Sequence, residues 1–378
     1  MIIYTLMFAL SVVFAYIAQA NKSAVVVEDG GVKYRLNRLF LILSALVPIF
    51  FAGMRGAIAD TGSYIHSFNE IKWDAVWDLI TGKTDGKSPG FHLLEWLVKQ
   101  VVDNYTVWLF IIAIFCVACL WVVFTKYSDS FALSVFLFFG TTSFSWMFNG
   151  MRQYIAVCAL FLMFPLLLKS GNRRKDAKKL VIFIVLSILL YTIHSSAIVI
   201  LPIYLLCRGN LFGRWKTLLI LGFVAASAFV GPFTEFLSDL FSDASFGTVA
   251  NDLQEYDGAN ILRLVIAAIP IFLGLYRIKQ IKNDNEPVFN FCFNMSLINV
   301  CIWVPAVVIS GNTFGRFAEY CSVFNLILYP MIINRYYGGK TRKVLTIGLL
   351  LAFAFWFYYQ VKLTWGWPYL SEVIGNFY

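Results

Sequence analysis

Charged residues are scarce in this chain, and their scarcity argues against a soluble domain. Only 13% of the 378 residues are Asp, Glu, Lys or Arg, whereas 60% are hydrophobic. Soluble domains carry about 25% charged residues. Apolar runs long enough to cross a bilayer recur along the whole length, so the sequence predicts an all-α polytopic membrane protein. No basic residue precedes the first apolar run, which favours a retained first span over a cleaved signal peptide.

Patterns typical of disulfide frameworks and metal sites are also missing. The seven cysteines lie within or beside apolar runs, although a disulfide framework needs them in loops. The three histidines form no spaced ligand set, so we predict an activity that needs no metal and no other cofactor. A net charge of +9 would suggest nucleic acid in a soluble protein. Here the distribution of the charge indicates a membrane topology instead, and no nucleic-acid partner is expected.

Twelve apolar runs are candidate membrane spans. They cover 2–18, 38–54, 105–124, 131–147, 150–168, 180–193, 195–206, 217–234, 260–276, 288–310, 317–334 and 344–361. Alternate threading places six connecting segments on one side: 19–38, 125–130, 169–179, 207–216, 277–287 and 335–343. These segments hold 21 of the 30 Lys and Arg residues but 6 of the 21 acids. By the positive-inside rule this side is cytoplasmic, which predicts about 11–12 spans with both termini outside.

Residues 180–206 need a turn within the membrane region. The segments before and after them are both strongly basic, so both are expected on the cytoplasmic side. Two legs of about 12–14 residues are shorter than the roughly 20 needed to cross. They are predicted to form a hairpin or bent helices shielded by protein. The apex falls at 192–196 and places His194 near the outer end of the bundle.

Two predicted outer segments are substantial. The first, 55–104, contains a turn-rich stretch followed by FHLLEWLVKQVV. Leu94, Leu97, Val98 and Val101 form one helical face of this stretch, and His92, Glu95, Lys99 and Asp103 form the opposite one. The pattern predicts an amphipathic helix in the membrane interface. The second outer segment, 235–259, carries six acids and no basic residue. The sequence shows no internal repeat, so we interpret the whole of 1–378 as a single transmembrane domain.

Four arginines break the charge pattern, because each abuts the predicted outer end of a span. They are Arg55, Arg152, Arg263 and Arg316. An arginine at mid-membrane costs roughly 2.5–3.5 kcal/mol on insertion scales, and less near the interface. The guanidinium group offers a fixed fork of donors that suits bidentate phosphate binding. We therefore expect the four to converge on one cavity and neutralise a pyrophosphate.

The alternative is that each arginine pairs with a local acid or snorkels to lipid headgroups. Asp60 lies near Arg55 in sequence, Glu319 lies near Arg316, and the acidic 235–259 segment precedes Arg263. No acid lies within twenty residues of Arg152 on either side. Arg152 is therefore the strongest candidate for binding phosphate.

Proton transfer has three candidates. His194 stands at a helical apex, flanked by Ser195 and Ser196; an intramembrane histidine is either used chemically or hydrogen-bonded into the structure. Asp60, with Tyr64 one turn on, and Glu319, beside Tyr320, compete with it for the role of general base.

Five stretches carry a family resemblance. They are GMRGAIADTGSYIHSF (53–68), SPGFHLLEWLVKQVVDNY (88–105), FNGMRQYIAVCALFL (148–162), IHSSAIVILPIYLL (193–206) and NTFGRFAEYCSVF (312–324). In this order they resemble EpsG-like proteins, the Wzy-type polymerases of bacterial surface polysaccharides. The ordered set, above all NGMRQY, spans nearly the full chain.

The resemblance implies a bacterial inner-membrane glycosyltransferase with a GT-C-like helical architecture and a site facing the periplasm or cell exterior. Such enzymes polymerise undecaprenyl-pyrophosphate-linked oligosaccharide units of O-antigen, capsule or exopolysaccharide. They transfer the nascent glycan to the non-reducing end of an incoming unit. Membrane lipids, a chain-length regulator and a flippase are the other partners that it implies.

Carried over residue by residue, the family patterns fall on Arg55, Asp60 and Tyr64; on Asn149, Arg152 and Gln153; on His194 and Ser195; and on Arg316 and Tyr320. In the family the aspartate commonly follows the glycine more closely than in GAIADTGSY. The combined prediction assigns catalysis to Asp60, His194 and Glu319, pyrophosphate binding to Arg55, Arg152, Arg263 and Arg316, and substrate binding to Tyr64, Asn149, Gln153, Ser195 and Tyr320.

Other functions remain open at this stage. A glycan ligase that moves finished polysaccharide to another acceptor would use the same chemistry, although such enzymes usually have a larger outer domain. A non-enzymatic exporter or flippase predicts polar residues along a mid-membrane path, or inverted repeats. A membrane O-acyltransferase would use an intramembrane histidine but would not need four outer arginines.

Overall fold

The computed structural model describes residues 1–26, 32–84, 87–211 and 258–377. The chain divides into two compact units, each built from discontinuous segments. The first unit contains Met1–Ile71, Leu94–Cys158 and Ile333–Tyr378, and the second contains Lys72–Leu93 and Ala159–Ile332. The predicted span 217–234, and residues 235–257 of the predicted acidic loop, lie outside the described residues.

Among the described residues, helices dominate both units. In chain order they are α1 (Ile2–Ala20), α2 (Arg38–Gly53), α3 (Thr61–Glu70), α4 (Trp73–Ile80), α5 (Pro89–Val101), α6 (Tyr105–Tyr127), α7 (Phe131–Gly140), α8 (Met151–Met163), α9 (Arg173–Ile193), α10 (Ser196–Leu206), α11 (Ile261–Tyr276), α12 (Ile278–Asp284), α13 (Pro287–Val308), α14 (Gly311–Ser322), α15 (Asn325–Tyr336) and α16 (Gly339–Tyr358). Short 3₁₀ helices cover Ser143–Met147 and Phe164–Leu167, and α16 continues into a π-helix, Tyr359–Trp365.

A β-hairpin interrupts the helical pattern in the predicted cytoplasmic segment 19–38. Strand β1 (Ser23–Val26) pairs antiparallel with β2 (Val32–Arg35). The span pattern does not predict this hairpin, because its residues lie between two predicted spans. The predicted spans that fall within the described residues are helical, so an all-α polytopic membrane protein is confirmed as the class of the chain.

The lengths of the helices support several membrane crossings. Over the described residues, four helices are long and apolar enough to span a bilayer, and up to six if each bent pair counts as one span. Apolar helices of 10–17 residues add Arg38–Gly53, Phe131–Gly140, Met151–Leu167 and Ser196–Leu206. The total of about 11–12 spans stays a prediction.

Two predicted spans are broken rather than continuous. The predicted span 131–147 consists of α7 and the 3₁₀ helix Ser143–Met147, separated at Thr142, whose φ of +67° is left-handed. The predicted span 317–334 falls on α14 and α15, which meet at an angle of 48°. Hydropathy averages over a window of residues and carries no information on the backbone angles of a single residue, so it does not reveal such breaks.

Aromatic side chains fill the cores. In the first unit the Phe8 ring lies 5.1 Å from Phe136, 5.3 Å from Phe139 and 4.9 Å from Phe357, measured between centroids, which joins α1, α7 and α16. In the second unit Phe324 has the corresponding role, with Phe161 at 4.9 Å. Aromatic pairs of this geometry contribute about 0.5–1.5 kcal/mol beyond the burial of their surface.

Within the first unit the interhelical connections group as the predicted threading requires. On the predicted cytoplasmic side, Arg335 donates to both carboxylate oxygens of Asp129 at 2.6 and 2.8 Å, and Ser130 donates to Gln19 at 3.2 Å. On the predicted outer side, the junction after α2 contacts Met147 and the C-terminal residues Tyr369–Ser371. Which group faces the exterior stays a prediction.

The second unit shows the same alternation. On the predicted cytoplasmic side, Arg208 donates to the Leu167 carbonyl at 3.0 Å, and the Asn294 side chain donates to the Cys207 carbonyl at 3.1 Å. On the predicted outer side, the Ala259 amide donates to the Ala306 carbonyl at 2.8 Å. Helix α9 ends and α10 begins on either side of His194, and the Arg208–Leu167 contact brings their other ends together, so the chain turns back at the predicted apex.

Helix α5 is amphipathic, with its polar face turned toward protein. Glu95 is fully buried and accepts a hydrogen bond from Ser67 on α3 at 3.0 Å. Lys99 donates to the backbone carbonyls of Phe68, at 3.1 Å, and Asn69. Leu94, Leu97 and Val101 are 42%, 47% and 83% exposed. The apolar face therefore points away from α3, as a helix that meets lipid requires.

Candidate functional site

Arg55 lies inside the first unit, at the junction between α2 and α3. Its side chain is 2% exposed. It donates to the Ala52 carbonyl, to the Met147 carbonyl at 2.5 Å and to the Thr61 hydroxyl at 3.0 Å. Thr61 in turn donates to the Phe148 carbonyl at 3.1 Å. These contacts use the guanidinium fork to join two connections that are far apart in sequence.

The charge of Arg55 survives this burial. Desolvation lowers the pKa of its guanidinium to about 10, so the group stays protonated at neutral pH. The ring of Phe148 lies against it, 4.9 Å from the guanidinium carbon to the ring centroid, and adds a cation–π contact. A buried cation that is hydrogen-bonded to carbonyls holds them in place, because removing it would leave those carbonyls without a donor.

Asp60 stands at the surface where α3 begins. Its carboxylate does not cap α3; it accepts a hydrogen bond from the backbone N–H of Gly150 at 3.3 Å. The preceding residue, Ala59, has a left-handed φ of +48°, which is unusual for a residue with a side chain. The long GAIAD stretch is thus taken up by a turn that delivers Asp60 to the start of α8. Gly150, with φ +75°, supplies the tight turn there.

Arg152 is half-buried in the first turn of α8. Its guanidinium carbon lies 5.8 Å from the centroid of the Tyr64 ring, a cation–π geometry. Tyr64 is 9% exposed, so its ring forms a largely buried floor beneath the charge. Gln153 is buried in α8, and Asn149 is half-buried in the preceding turn. Arg152, Tyr64, Asp60 and Gly150 thus form one cluster, here called the Arg152 cluster.

The C-terminal residues pack against the same junction. Tyr369 donates from its hydroxyl to the Phe51 carbonyl at 2.8 Å, and Ser371 donates to the Met54 carbonyl at 2.6 Å. The Gly56 amide donates to the Leu370 carbonyl at 2.7 Å. Backbone groups on both sides of Arg55 are therefore fixed by residues more than 300 positions away in sequence.

In the second unit, His194 lies at the break between α9 and α10. Its Nδ1 lies 2.7 Å from the hydroxyl of Ser196, which lies 2.8 Å from the hydroxyl of Tyr320. Tyr204 donates to the Tyr320 backbone carbonyl at 3.1 Å. Ser195 occupies the N-cap position of α10, where its side chain makes no cap hydrogen bond. His194, Ser196 and Tyr320 are here called the His194 chain.

Helix α14 carries Arg316 and Glu319. Arg316 is exposed, and its Nε donates to the Asn312 side chain one turn earlier at 3.2 Å. Glu319 is 8% exposed, and its Oε2 accepts a hydrogen bond from Ser322 at 2.7 Å. The helix thus presents a guanidinium at the surface and keeps a carboxylate inside.

Arg263, near the start of α11, has an aromatic neighbour. Its guanidinium carbon lies 5.7 Å from the centroid of the Trp303 ring on α13. The acidic segment expected as its partner lies outside the described residues, apart from Gly258 and Ala259.

Comparison with known proteins decides the family. Residues 38–371 match the model of the EpsG family. The chain belongs to the EpsG family. No curated protein and no solved structure matches it. The resemblance carried by the five sequence stretches is confirmed. This EpsG-family chain is a multi-pass membrane protein and a polysaccharide polymerase of the membrane glycosyltransferase type.

The structure sorts the predicted site residues of this EpsG-family chain into two sets. Arg55, Asp60, Tyr64, Asn149, Arg152 and Gln153 belong to the first unit, and His194, Ser195, Arg263, Arg316, Glu319 and Tyr320 belong to the second. The predicted convergence of the four arginines on one cavity stays a prediction. Among the residues that the structure describes, no group of three or more His, Cys, Asp or Glu could hold a metal ion.

Four residues that were not predicted from the sequence contribute to these sets. Thr61 and Ser196 complete hydrogen-bond chains, and Tyr369 and Ser371 fix the Arg55 junction. The repeated serine in IHSS was a signal for Ser196, but nothing local distinguishes it from Ser195. The C-terminal residues carry no signal in the sequence, because their partners lie at the opposite end of the chain.

Proposed function

We propose that this chain polymerises undecaprenyl-pyrophosphate-linked oligosaccharide repeat units at the outer face of the bacterial cytoplasmic membrane. The proposal rests on the family match and on one feature of the geometry, the Arg152 cluster. A half-buried guanidinium over an aromatic ring offers a counter-charge for phosphate, and the surface carboxylate that accepts from the Gly150 amide, two residues earlier, offers an acceptor for a proton. Product chains remain on the lipid carrier until the next transfer.

The reaction is a glycosyl transfer in which charge develops on the leaving group. A hydroxyl oxygen at the non-reducing end of the incoming unit attacks the anomeric carbon of the nascent chain. As the new carbon–oxygen bond forms, the bond from that carbon to pyrophosphate breaks, and its electron pair leaves on undecaprenyl pyrophosphate. The hydroxyl proton passes to a carboxylate. Preorganised cations aimed at the leaving group stabilise this transition state.

Arginine roles follow from exposure. We assign pyrophosphate binding to Arg152, which is half-buried in the first unit; Arg316 is exposed in the second unit, and its phosphate role stays a prediction. Arg55 is assigned to positioning, since its donors engage Ala52, Met147 and Thr61. Arg263 lies against the Trp303 ring, and we assign it no direct contact with pyrophosphate but a positive charge near the start of α11.

For the base we favour Asp60. It lies at the surface with its orientation set by the Gly150 amide. Glu319 is the second candidate, but its burial and its hydrogen bond from Ser322 suit a role in holding α14. The Tyr64 ring contacts Arg152, and Asn149 and Gln153 lie close to it in sequence. We assign these three residues to shaping the substrate site.

The first test replaces Arg152. In a strain lacking the gene, Arg152→Ala is expected to lose polymer ladders, and Arg152→Lys to lose most of them, because lysine keeps the charge but not the donor fork. We expect rates in a purified assay to fall on the order of 10²-fold. Arg173→Ala, at the exposed start of α9, is the matched control and should keep the ladder. Wild-type ladders from both Arg152 variants would refute the phosphate role.

Product analysis tests the reaction class. Purified enzyme given lipid-linked repeat units should yield long chains that are still attached to undecaprenyl pyrophosphate, with and without EDTA. Chains transferred to a different acceptor would identify a ligase. Movement of lipid-linked units without any change in length would identify an exporter or flippase. Activity lost in EDTA and restored by magnesium would overturn the metal-independent mechanism.

A further inference from the structure

Thr61 joins two connections of the first unit through a single hydroxyl. It is the first residue of α3, and its side chain is fully buried. The hydroxyl accepts a hydrogen bond from Nε of Arg55 at 3.0 Å and donates to the Phe148 carbonyl at 3.1 Å. The directions are fixed, because a guanidinium N–H can only donate and a carbonyl can only accept. Thr61 therefore bonds both the junction after α2 and the turn that precedes α8.

A second bond runs beside the first. Asp60 accepts from the Gly150 amide at 3.3 Å, so two consecutive residues at the start of α3 are bonded to the turn at 148–150. The Asp60 bond is exposed, whereas the Thr61 bond is buried. A buried hydrogen bond is electrostatically stronger, and its loss leaves groups that water cannot reach without a partner. Of the two bonds, the one from Thr61 is therefore the stronger tether.

This tether controls how a ring and a charge meet. Tyr64 lies three residues after Thr61 on α3. Arg152 lies four residues after Phe148, in the first turn of α8. The cation–π contact between them, 5.8 Å from the guanidinium carbon to the ring centroid, joins the starts of these two helices. The spacing of the contact thus depends on the bond between Thr61 and the Phe148 carbonyl.

We propose that Thr61 is a positioning residue for substrate binding: its hydroxyl fixes the start of α3 against the turn before α8 and so sets the spacing between the Tyr64 ring and the Arg152 guanidinium. This role rests on the proposed function, in which Arg152 binds pyrophosphate. Thr61 itself contacts no substrate, because its side chain is fully buried. A guanidinium whose place is set before binding loses less conformational freedom on contact with phosphate, which strengthens binding.

Hydrogen exchange tests the positioning without any activity. The full chain in nanodiscs is compared by mass spectrometry as wild type, Thr61→Val and Thr61→Ser. Valine has the shape of threonine without the hydroxyl, whereas serine keeps the hydroxyl. Thr61→Val should speed exchange about tenfold in peptides that cover the start of α3 and the turn at 148–150, and Thr61→Ser should behave like the wild-type chain. Unchanged exchange of these peptides in Thr61→Val would overturn the proposal.

A binding test uses undecaprenyl pyrophosphate, the leaving group of the proposed reaction. Thr61→Val should raise the Kd of the purified chain about tenfold, and Thr61→Ser should stay within about twofold of wild type. Ser187→Ala, which removes a fully buried hydroxyl bonded within its own helix α9, is the matched control and should not change the Kd. If Thr61→Val does not fold, Thr61→Cys, a weaker donor, should give a smaller rise. A wild-type Kd in the variant used would overturn the proposal.

A double variant separates positioning from a general loss of structure. If Thr61 acts through Arg152, adding Thr61→Val to Arg152→Ala should cause no further loss of affinity. A loss of about tenfold from Thr61→Val in both backgrounds would overturn the proposal. Wild-type affinity of Arg152→Ala would instead overturn the phosphate role of Arg152 in the proposed function, and the hydrogen-exchange result would still decide whether Thr61 fixes the turn.

Discussion

At the scale of single residues, burial decides what an arginine can do. Arg55 and Arg152 belong to the same unit, and both flank predicted outer connections. Arg55 is 2% exposed and bonded to backbone carbonyls, whereas Arg152 is half-buried over Tyr64. The Arg55 guanidinium already donates to two carbonyls and to the Thr61 hydroxyl, so it cannot bind phosphate without releasing them. The two arginines therefore have different expected phenotypes.

Replacing Arg55 should affect stability first. Arg55→Met keeps much of the volume but leaves the Ala52 and Met147 carbonyls without their donor, at about 1–3 kcal/mol for each buried group. The midpoint of thermal unfolding in detergent should fall clearly below that of the wild-type chain. Arg316→Met, at an exposed position, is the control and should leave the midpoint unchanged. An unchanged midpoint together with lost ladders would instead assign Arg55 to direct substrate contact.

At the scale of elements, α5 illustrates how a membrane-bound chain uses an amphipathic helix. Its polar face is satisfied by α3 through Glu95 and Lys99. Its apolar face, with Leu94 and Leu97, is exposed and points away from α3. Helix α6 begins at Tyr105, only a few residues after α5 ends. Because α6 is a candidate span, lipid is the natural partner of that outward face.

A nitroxide label on Leu97→Cys should report lipid contact. The seven native cysteines are all buried, so labelling should be confined to the introduced thiol. In reconstituted protein the label is expected to be more accessible to oxygen, which partitions into lipid, than to a water-soluble nickel chelate. Glu70→Cys, exposed at the end of α3, is the matched control and should show the reverse. Preferential access of the nickel chelate to position 97 would place α5 in water.

At the scale of the whole molecule, charge sets the predicted sidedness. Basic residues concentrate in alternate connections, and within each unit hydrogen bonds link connections assigned to the same side. Lys and Arg in short loops resist translocation. The segment containing Lys340 should therefore face the cytoplasm, and the Arg152 cluster should face outward.

Cysteine accessibility tests that orientation. Ser63→Cys on α3 and Lys340→Cys on α16 are both exposed positions in the first unit. A membrane-impermeant maleimide should label Ser63→Cys in intact spheroplasts but Lys340→Cys only after lysis. Cysteine-containing wild-type chain is the background control, since its thiols are buried. The opposite pattern would turn the Arg152 cluster toward the cytoplasm and refute catalysis at the outer face.

The class, the break at His194 and the family could be predicted from the sequence alone. These features depend on hydropathy, charge and short motifs, all of which are local. The sequence could not separate Arg55 from Arg152 or Ser195 from Ser196, and it gave no sign of the contact between Ser371 and Met54. Those distinctions depend on hydrogen-bond partners as far as 317 residues away. They could be seen only in the folded chain, because burial and hydrogen-bond partners arise when distant segments pack together.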